Sequence, residues 1–449
     1  HRMVEPEPVD GNPDEGSSHD QTVRNALSAK PPLGHTGSAM MILDFLDNRR
    51  GPFSLGIFFS YHPNRTYQTD YLGRNQSDFV TRSRLCGICH NVDNPILSWN
   101  SIQQQYLPNT MGQPAPSFEK SQLFAIETTY DEWLNSQYAS SGVVAPQFAG
   151  ARQDGVVGAC QDCHMPRAVG KAADDVLDPY LRDCVSTGCL PVHDFVGGNT
   201  WVPRLLSDSR WRLNGLAYQT FLAQSEERAR AMLRKAATLT VSLETTALSK
   251  IATVRVYNQT GHKLPTGYAE GRRMWINLKA YDVTDNLVFE SGRYDPLTGV
   301  LTPDADLKVY EIKQGITPEL AALVNLPAGE SFHFILNNTV IKDNRIPPRG
   351  FTQVALDAPG LRPVGAVYQP GQYWDDTVYD LTAYPEVVRV FATLYYQTAS
   401  KEYIDFLDSN GGVDAVSLGA LWDALKSPPE VVAVGWAPNY PIYCPSIRR

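Results

Sequence analysis

Two segments of the sequence set donor atoms at a spacing that serves one chemistry. Cys86-Gly87-Ile88-Cys89-His90 and Cys160-Gln161-Asp162-Cys163-His164 both read Cys-x-x-Cys-His. On one helical turn, side chains at i, i+3 and i+4 share a face. Two thiols there reach the two vinyl groups of one porphyrin, and the adjacent imidazole meets the iron from the same side. This is the pattern of c-type haem attachment. It makes Cys86, Cys89, Cys160 and Cys163 thioether anchors and His90 and His164 the proximal iron ligands. Composition predicts about 0.002 chance copies of such a pattern, and the chain has two. A redox dithiol would need no following histidine, and zinc would have to gather ligands from two distant motifs. Two covalently bound haems c are therefore expected. Their attachment takes place beyond the cytoplasmic membrane of a prokaryote, so the protein is expected to be extracellular or periplasmic.

Haems that carry electrons usually have both axial positions filled; a methionine raises the potential and a second histidine leaves it lower. The first candidate for a sixth ligand is His193, in Pro191-Val192-His193-Asp194-Phe195-Val196-Gly197-Gly198-Asn199. It follows the second motif closely, and its glycine pair lets backbone pack against a flat ring. His62 and His19 come next, then His35. Met165, beside His164, lies on the wrong face for the same iron and reads as a packing residue. His262 and His333 read as turn or strand histidines with ordinary hydrogen bonds. The Arg272-Arg273 pair suits either haem propionates or a structural salt bridge.

Several segments resemble a family, the prokaryotic multihaem c-type cytochromes with a β-sandwich-like C-terminal domain. Ser83 to Val92 looks like the family's haem segment with its Asn94-Pro95 turn, and Ala159 to Pro166 is similar to its "CQDCHMP" segment. His193 to Asn199 is similar to its His-x-Phe-x-Gly-Gly-Asn element, whose histidine is an axial ligand. Ser17-Ser18-His19 is similar to an N-terminal distal-ligand stretch. Thr260 to Gly267, Glu270 to Trp275 and Asp343 to Phe351 look like the C-terminal domain. The resemblance spans about residues 80 to 405 and departs in one respect. Relatives often carry four or more haems, and residues 20 to 80 hold no haem motif where relatives usually have one.

The elements that must position these groups form an α+β protein. Residues 1–30, rich in Pro, Asp, Glu, Gly and Ser, read as an extended N-terminal tail. Residues 31–236 read as an irregular, mainly helical and loop di-haem cytochrome c domain ending in a helix at about 209–236. There Glu226 and Arg230 pair at i, i+4, and Leu222, Ala229, Met232 and Leu233 form the apolar side. Residues 237–449 read as an antiparallel β-sandwich domain with a C-terminal helix at about 413–426 and a Pro-rich tail. Its strands are expected at 239–243, 252–257, 275–281, 331–336 and 388–396, where apolar residues alternate. Cys184 and Cys189 suit a short-loop disulfide in an oxidising compartment. Cys444 is then free, paired with one of them, or intermolecular. Asn64, Asn75, Asn258 and Asn337 fit the glycosylation sequon, a pattern common by chance.

The bulk numbers narrow the options further. Of 449 residues 43% are hydrophobic and 19% charged, enough for a packed core. A net charge of −9 argues against nucleic acid as a partner. No run approaches the roughly 20 apolar residues of a membrane helix, so no transmembrane segment is expected. The start at His1-Arg2-Met3 reads as a mature end left by secretion, against an artificially trimmed one, and the lack of an N-terminal cysteine suggests no lipid anchor.

The leading expectation is electron transfer through closely spaced six-coordinate haems, with other redox proteins as partners. A homo-oligomer or polymer is expected, a filament in which a neighbouring subunit donates a distal histidine. The alternative is a redox enzyme, a reductase or peroxidase, with one open haem position; binding of CO or cyanide without denaturation would favour it. A third reading makes the sandwich a carbohydrate- or protein-binding module with the haems peripheral.

Overall fold

The computed structural model describes residues 3–4, 36–43, 79–113, 115–117, 119–171, 182–185, 189–208 and 216–438. His1, His19, His35, His62 and Cys444 lie outside the described residues. The chain mixes helices with antiparallel sheets. Among the described residues no helix is long and apolar enough to cross a membrane.

The first part of the chain is built of short pieces. Helix α1, Ser83–Gly87, leads into strand β1, Val92–Asn100, which pairs with β2, Gln105–Pro108, and β3, Leu123–Glu127. Helix α2, Thr129–Leu134, follows, then helix α3, Cys160–His164. Met3 and Val4 pair with Leu43 and Ile42 of the same chain. The Cys184–Cys189 disulfide is present. Helix α4, Leu216–Ala236, carries the Glu226–Arg230 ion pair and buries Ala229 and Leu233; residues 209–215 lie outside the described ones.

Helix α4 runs directly into strand β4, Ala237–Thr245, which pairs with β5, Lys250–Asn258, and through it with β8, Trp374–Asp380. A second sheet has the order β7, Leu287–Ser291, then β6, Arg273–Tyr281, β9, Arg389–Gln397, and β10, Glu430–Ala437. Strand β5 alternates between buried and half-buried positions along its length, as a strand with one core face should. Its Val254 and Val256 meet Ile276 and Leu278 of β6 and Val390 and Leu394 of β9 in one apolar core between the sheets. Each such aliphatic side chain contributes about 1.5–3 kcal/mol when fully buried. Helices Lys401–Asn410 and Val413–Leu425 pack on helix Trp201–Ser207 through Ile404, Leu421, Trp422 and Trp201.

One strand expectation fails. Ser331 to Leu336 forms a turn, closed by Leu336 N–H donating to the His333 carbonyl at 2.7 Å. The alternating aromatics that suggested a strand serve another purpose. Phe332 packs on Tyr403 and Phe406, and the His333 ring stands edge-on to Phe406, with centroids 4.8 Å apart. Adjacent Phe332 and His333 thus meet the same helix, where a strand would send them to opposite faces, and Phe334 packs on Tyr268 instead.

Candidate haem-anchoring site

Each Cys-x-x-Cys-His segment folds as one helical turn. His90 N–H donates to the Cys86 carbonyl at 2.9 Å and Cys89 N–H to the same oxygen at 3.1 Å. Gly87 is required there, because a Cβ would meet the Tyr130 ring of α2 at 2.6 Å. The second segment is helix α3 itself. Asp162 stabilises its start, accepting N–H bonds from Ala159 at 3.0 Å and Gly158 at 3.1 Å. The same carboxylate is held by Arg152 and Arg167.

The two turns meet. Ser83 Oγ accepts the Cys160 N–H at 3.0 Å, and Gln161 donates to the Arg82 carbonyl at 2.7 Å. The neighbouring Cys160 thiol, more than burial, pushes the Cys86 thiol up. None of the four motif cysteines is in a disulfide.

Both motif imidazoles are oriented by their Nδ1 atoms. His90 Nδ1 lies 3.3 Å from Glu127 Oε1. That hydrogen bond raises the His90 pKa, against a smaller opposing effect of burial. The His90 side chain is 63% exposed, so its far side is open. His164 Nδ1 lies 2.5 Å from the Val196 carbonyl, which can only accept, so Nδ1 carries the proton. Val196 N–H returns a bond to the His164 carbonyl at 3.0 Å. Burial lowers the His164 pKa and keeps the ring neutral. In each ring Nε2 is left as the free donor atom, the arrangement a metal-ligating histidine takes.

His193 is exposed, its ring edge-on to Phe195 with centroids 6.0 Å apart. Its loop reaches the second motif through Val196, not through the His193 ring. Of the arginine pair, Arg273 is held by Gln397 at 2.9 Å and by Glu402 at 3.3 Å. Arg272 donates to the Thr266 carbonyl at 2.7 Å, and its charge acts on His90.

The structure adds His262, which the sequence offered only as a turn or strand histidine. Its ring centroid is 6.3 Å from that of His164, with 21° between the planes. His262 Nδ1 lies 3.0 Å from the Lys263 carbonyl, and burial lowers its pKa to about 4. The loop is fixed by Asn258, wholly buried despite its sequon, which donates to the His262 carbonyl at 2.7 Å and to Ile346 at 2.9 Å. Gly261 lets the loop close on Trp133 and Tyr138, each 3.2 Å from where a Cβ would sit. The only sequence signal was the Gly-His-Lys-Leu-Pro-Thr-Gly turn, which says nothing of what the ring faces.

No protein-family model matches the chain, and no curated protein matches it. Among solved structures it is similar to a penta-heme cytochrome c552 from Thermochromatium tepidum, at 16% identity and a TM-score of 0.39. The match covers 82% of this chain and 59% of that one, so the chain spans less than two thirds of that structure's length.

Proposed function

We propose that this chain is a secreted electron carrier with two haems c, one on Cys86, Cys89 and His90 and one on Cys160, Cys163 and His164. The observation that carries this reading is the contact between the two Cys-x-x-Cys-His turns, where the Cys160 N–H meets Ser83 Oγ at 3.0 Å and Gln161 meets the Arg82 carbonyl at 2.7 Å. Groups tethered on two turns in contact would lie close together, as a one-electron relay requires. The chemistry that bound haem supplies is reversible one-electron transfer at iron.

The chain's own residues fit that group. Four unpaired thiols sit at the vinyl-spaced positions of two helical turns. Glu127 and the Val196 carbonyl hold His90 and His164 with Nε2 free. Arg272, with its charge close to His90, suits a propionate. A haem-loading pathway outside the cytoplasm implies secretion, and other redox proteins are the partners. The open side of His90 supports a ligand from His19 or His62, from the same chain or from a neighbouring copy in a polymer.

The test is a haem count on protein expressed with c-type maturation. Two haems per chain by pyridine haemochrome, retained on a denaturing gel and reduced to one by Cys160→Ala/Cys163→Ala, are the expected result. Colourless protein, or pigment extracted by acidic acetone, would overturn the reading. Particle images of the native material test the polymer separately, which isolated monomers would exclude.

A further inference from the structure

We infer that His262 is the sixth ligand of the haem anchored at Cys160 and Cys163, opposite His164. The inference rests on the haem reading above and adds a residue to it. Two imidazoles on opposite sides of one metal, each with nitrogen at about 2.0–2.1 Å, hold their ring centroids about 6 Å apart. His164 and His262 stand at 6.3 Å. Both Nδ1 atoms are committed as donors to backbone carbonyls, of Val196 and of Lys263. Neither Nε2 has a hydrogen-bond partner among the described residues. An offset stack of two neutral rings would share the spacing, but it would not call for both Nδ1–H groups to be anchored.

The setting is built. The loop bearing His262 is pinned by buried Asn258 and by Glu132, which accepts the Lys263 N–H at 3.1 Å. Trp133, whose indole N–H donates to the Gly158 carbonyl at 2.7 Å just before the second motif, ties that motif to the same wall. A ligand held this firmly loses little freedom on binding. His193, by contrast, points to solvent.

The experiment uses full-length holoprotein and the variants His262→Ala, His262→Met and His193→Ala, with haem count, optical and EPR spectra, and CO binding as readouts. Wild type and His193→Ala should show the second haem low-spin, with no CO bound there. His262→Ala should keep two haems per chain while one becomes high-spin and binds CO, and added imidazole should restore the low-spin spectrum. His262→Met should stay low-spin at a raised potential; it is the variant to read if His262→Ala does not fold. Two low-spin haems that ignore CO in His262→Ala, or an unchanged potential in His262→Met, would overturn the assignment. Absence of haem from wild type would instead overturn the reading beneath it.

Discussion

Glu132 accepts the Lys263 backbone N–H at 3.1 Å with one carboxylate oxygen and pairs with the Arg345 guanidinium at 3.0 Å with the other. Arg345 in turn holds Asp343 at 2.8 Å, and the Lys263 ammonium reaches the same Asp343 at 2.6 Å. All four side chains are buried. Two charges of each sign therefore balance at the seam between helix α2 and the loop of His262. The network joins helix α2 to the His262 loop and to the Asp343–Arg345 segment through buried polar contacts.

Removing one charge from a balanced buried set leaves its partner uncompensated, at a cost of about 3–5 kcal/mol. Glu132→Gln keeps the shape but leaves Arg345 and Lys263 to share the single carboxylate of Asp343. It should lower the unfolding midpoint and loosen the His262 loop; on the proposed reading, the low-spin spectrum of a haem on His164 would then weaken before global unfolding. Glu132→Gln/Arg345→Met should recover part of the loss in denaturant titrations. Equal midpoints for wild type and Glu132→Gln would show that the network contributes nothing.

The same carboxylates set an acid limit. Burial alone would raise the Asp343 pKa, but Arg345 and Lys263 outweigh it and hold it at about 2; Arg345 and Lys263 likewise depress Glu132 against its burial. A folded-state pKa below the unfolded one gives stability that is present above the unfolded value, near 4. That stability is lost as pH falls toward the folded value. Thermal midpoints should therefore drop steeply between about pH 4 and pH 2. Asp343→Asn, less stable at neutral pH, should show a shallower fall, and parallel falls in the two proteins would refute the linkage.

How much of this could be read from the sequence depended on the range of the interaction. The Cys-x-x-Cys-His motifs are local, since one helical turn fixes the spacing of Cys86, Cys89 and His90. Strands such as Lys250–Asn258 are also local, written in strict alternation. Helix Val413–Leu425 was legible in the same way. Ser331 to Leu336 was not, because aromatics facing helix Lys401–Asn410 gave a turn the look of a strand. His262 was not legible at all. Its meaning lies in facing His164 across the fold, whereas His193 stood out by its place after the second motif, its glycine pair and its resemblance to an axial-ligand element.

Gly87 offers a purely steric test of the first motif. A methyl group there would approach the Tyr130 ring at 2.6 Å, and ring and backbone belong to packed helices that cannot both yield. Overpacking of this kind costs about 1–3 kcal/mol. Gly87→Ala should lower the midpoint accordingly; on the proposed reading it should also reduce haem loading at Cys86 and Cys89 while sparing Cys160 and Cys163. Gly87→Ala/Tyr130→Ala should be less damaged than the two single effects added together. Strict additivity would mean the two positions do not touch.

Glu127 gives a test that reads potential instead of stability. Its carboxylate takes the His90 Nδ1–H at 3.3 Å and also accepts the Thr129 hydroxyl at 3.1 Å. On the proposed reading, a carboxylate behind a ligating imidazole makes it a stronger donor and favours the more positive oxidation state of the metal. Glu127→Gln keeps a hydrogen-bond acceptor but removes the charge. The haem on His90 should therefore rise in potential by tens of millivolts, about 59 mV for each tenfold change in the one-electron equilibrium. The haem on His164, oriented by a backbone carbonyl, should hardly move. Spectroelectrochemical titration resolves the two steps, and an equal shift in both would show a general field from Glu127, not a contact specific to His90.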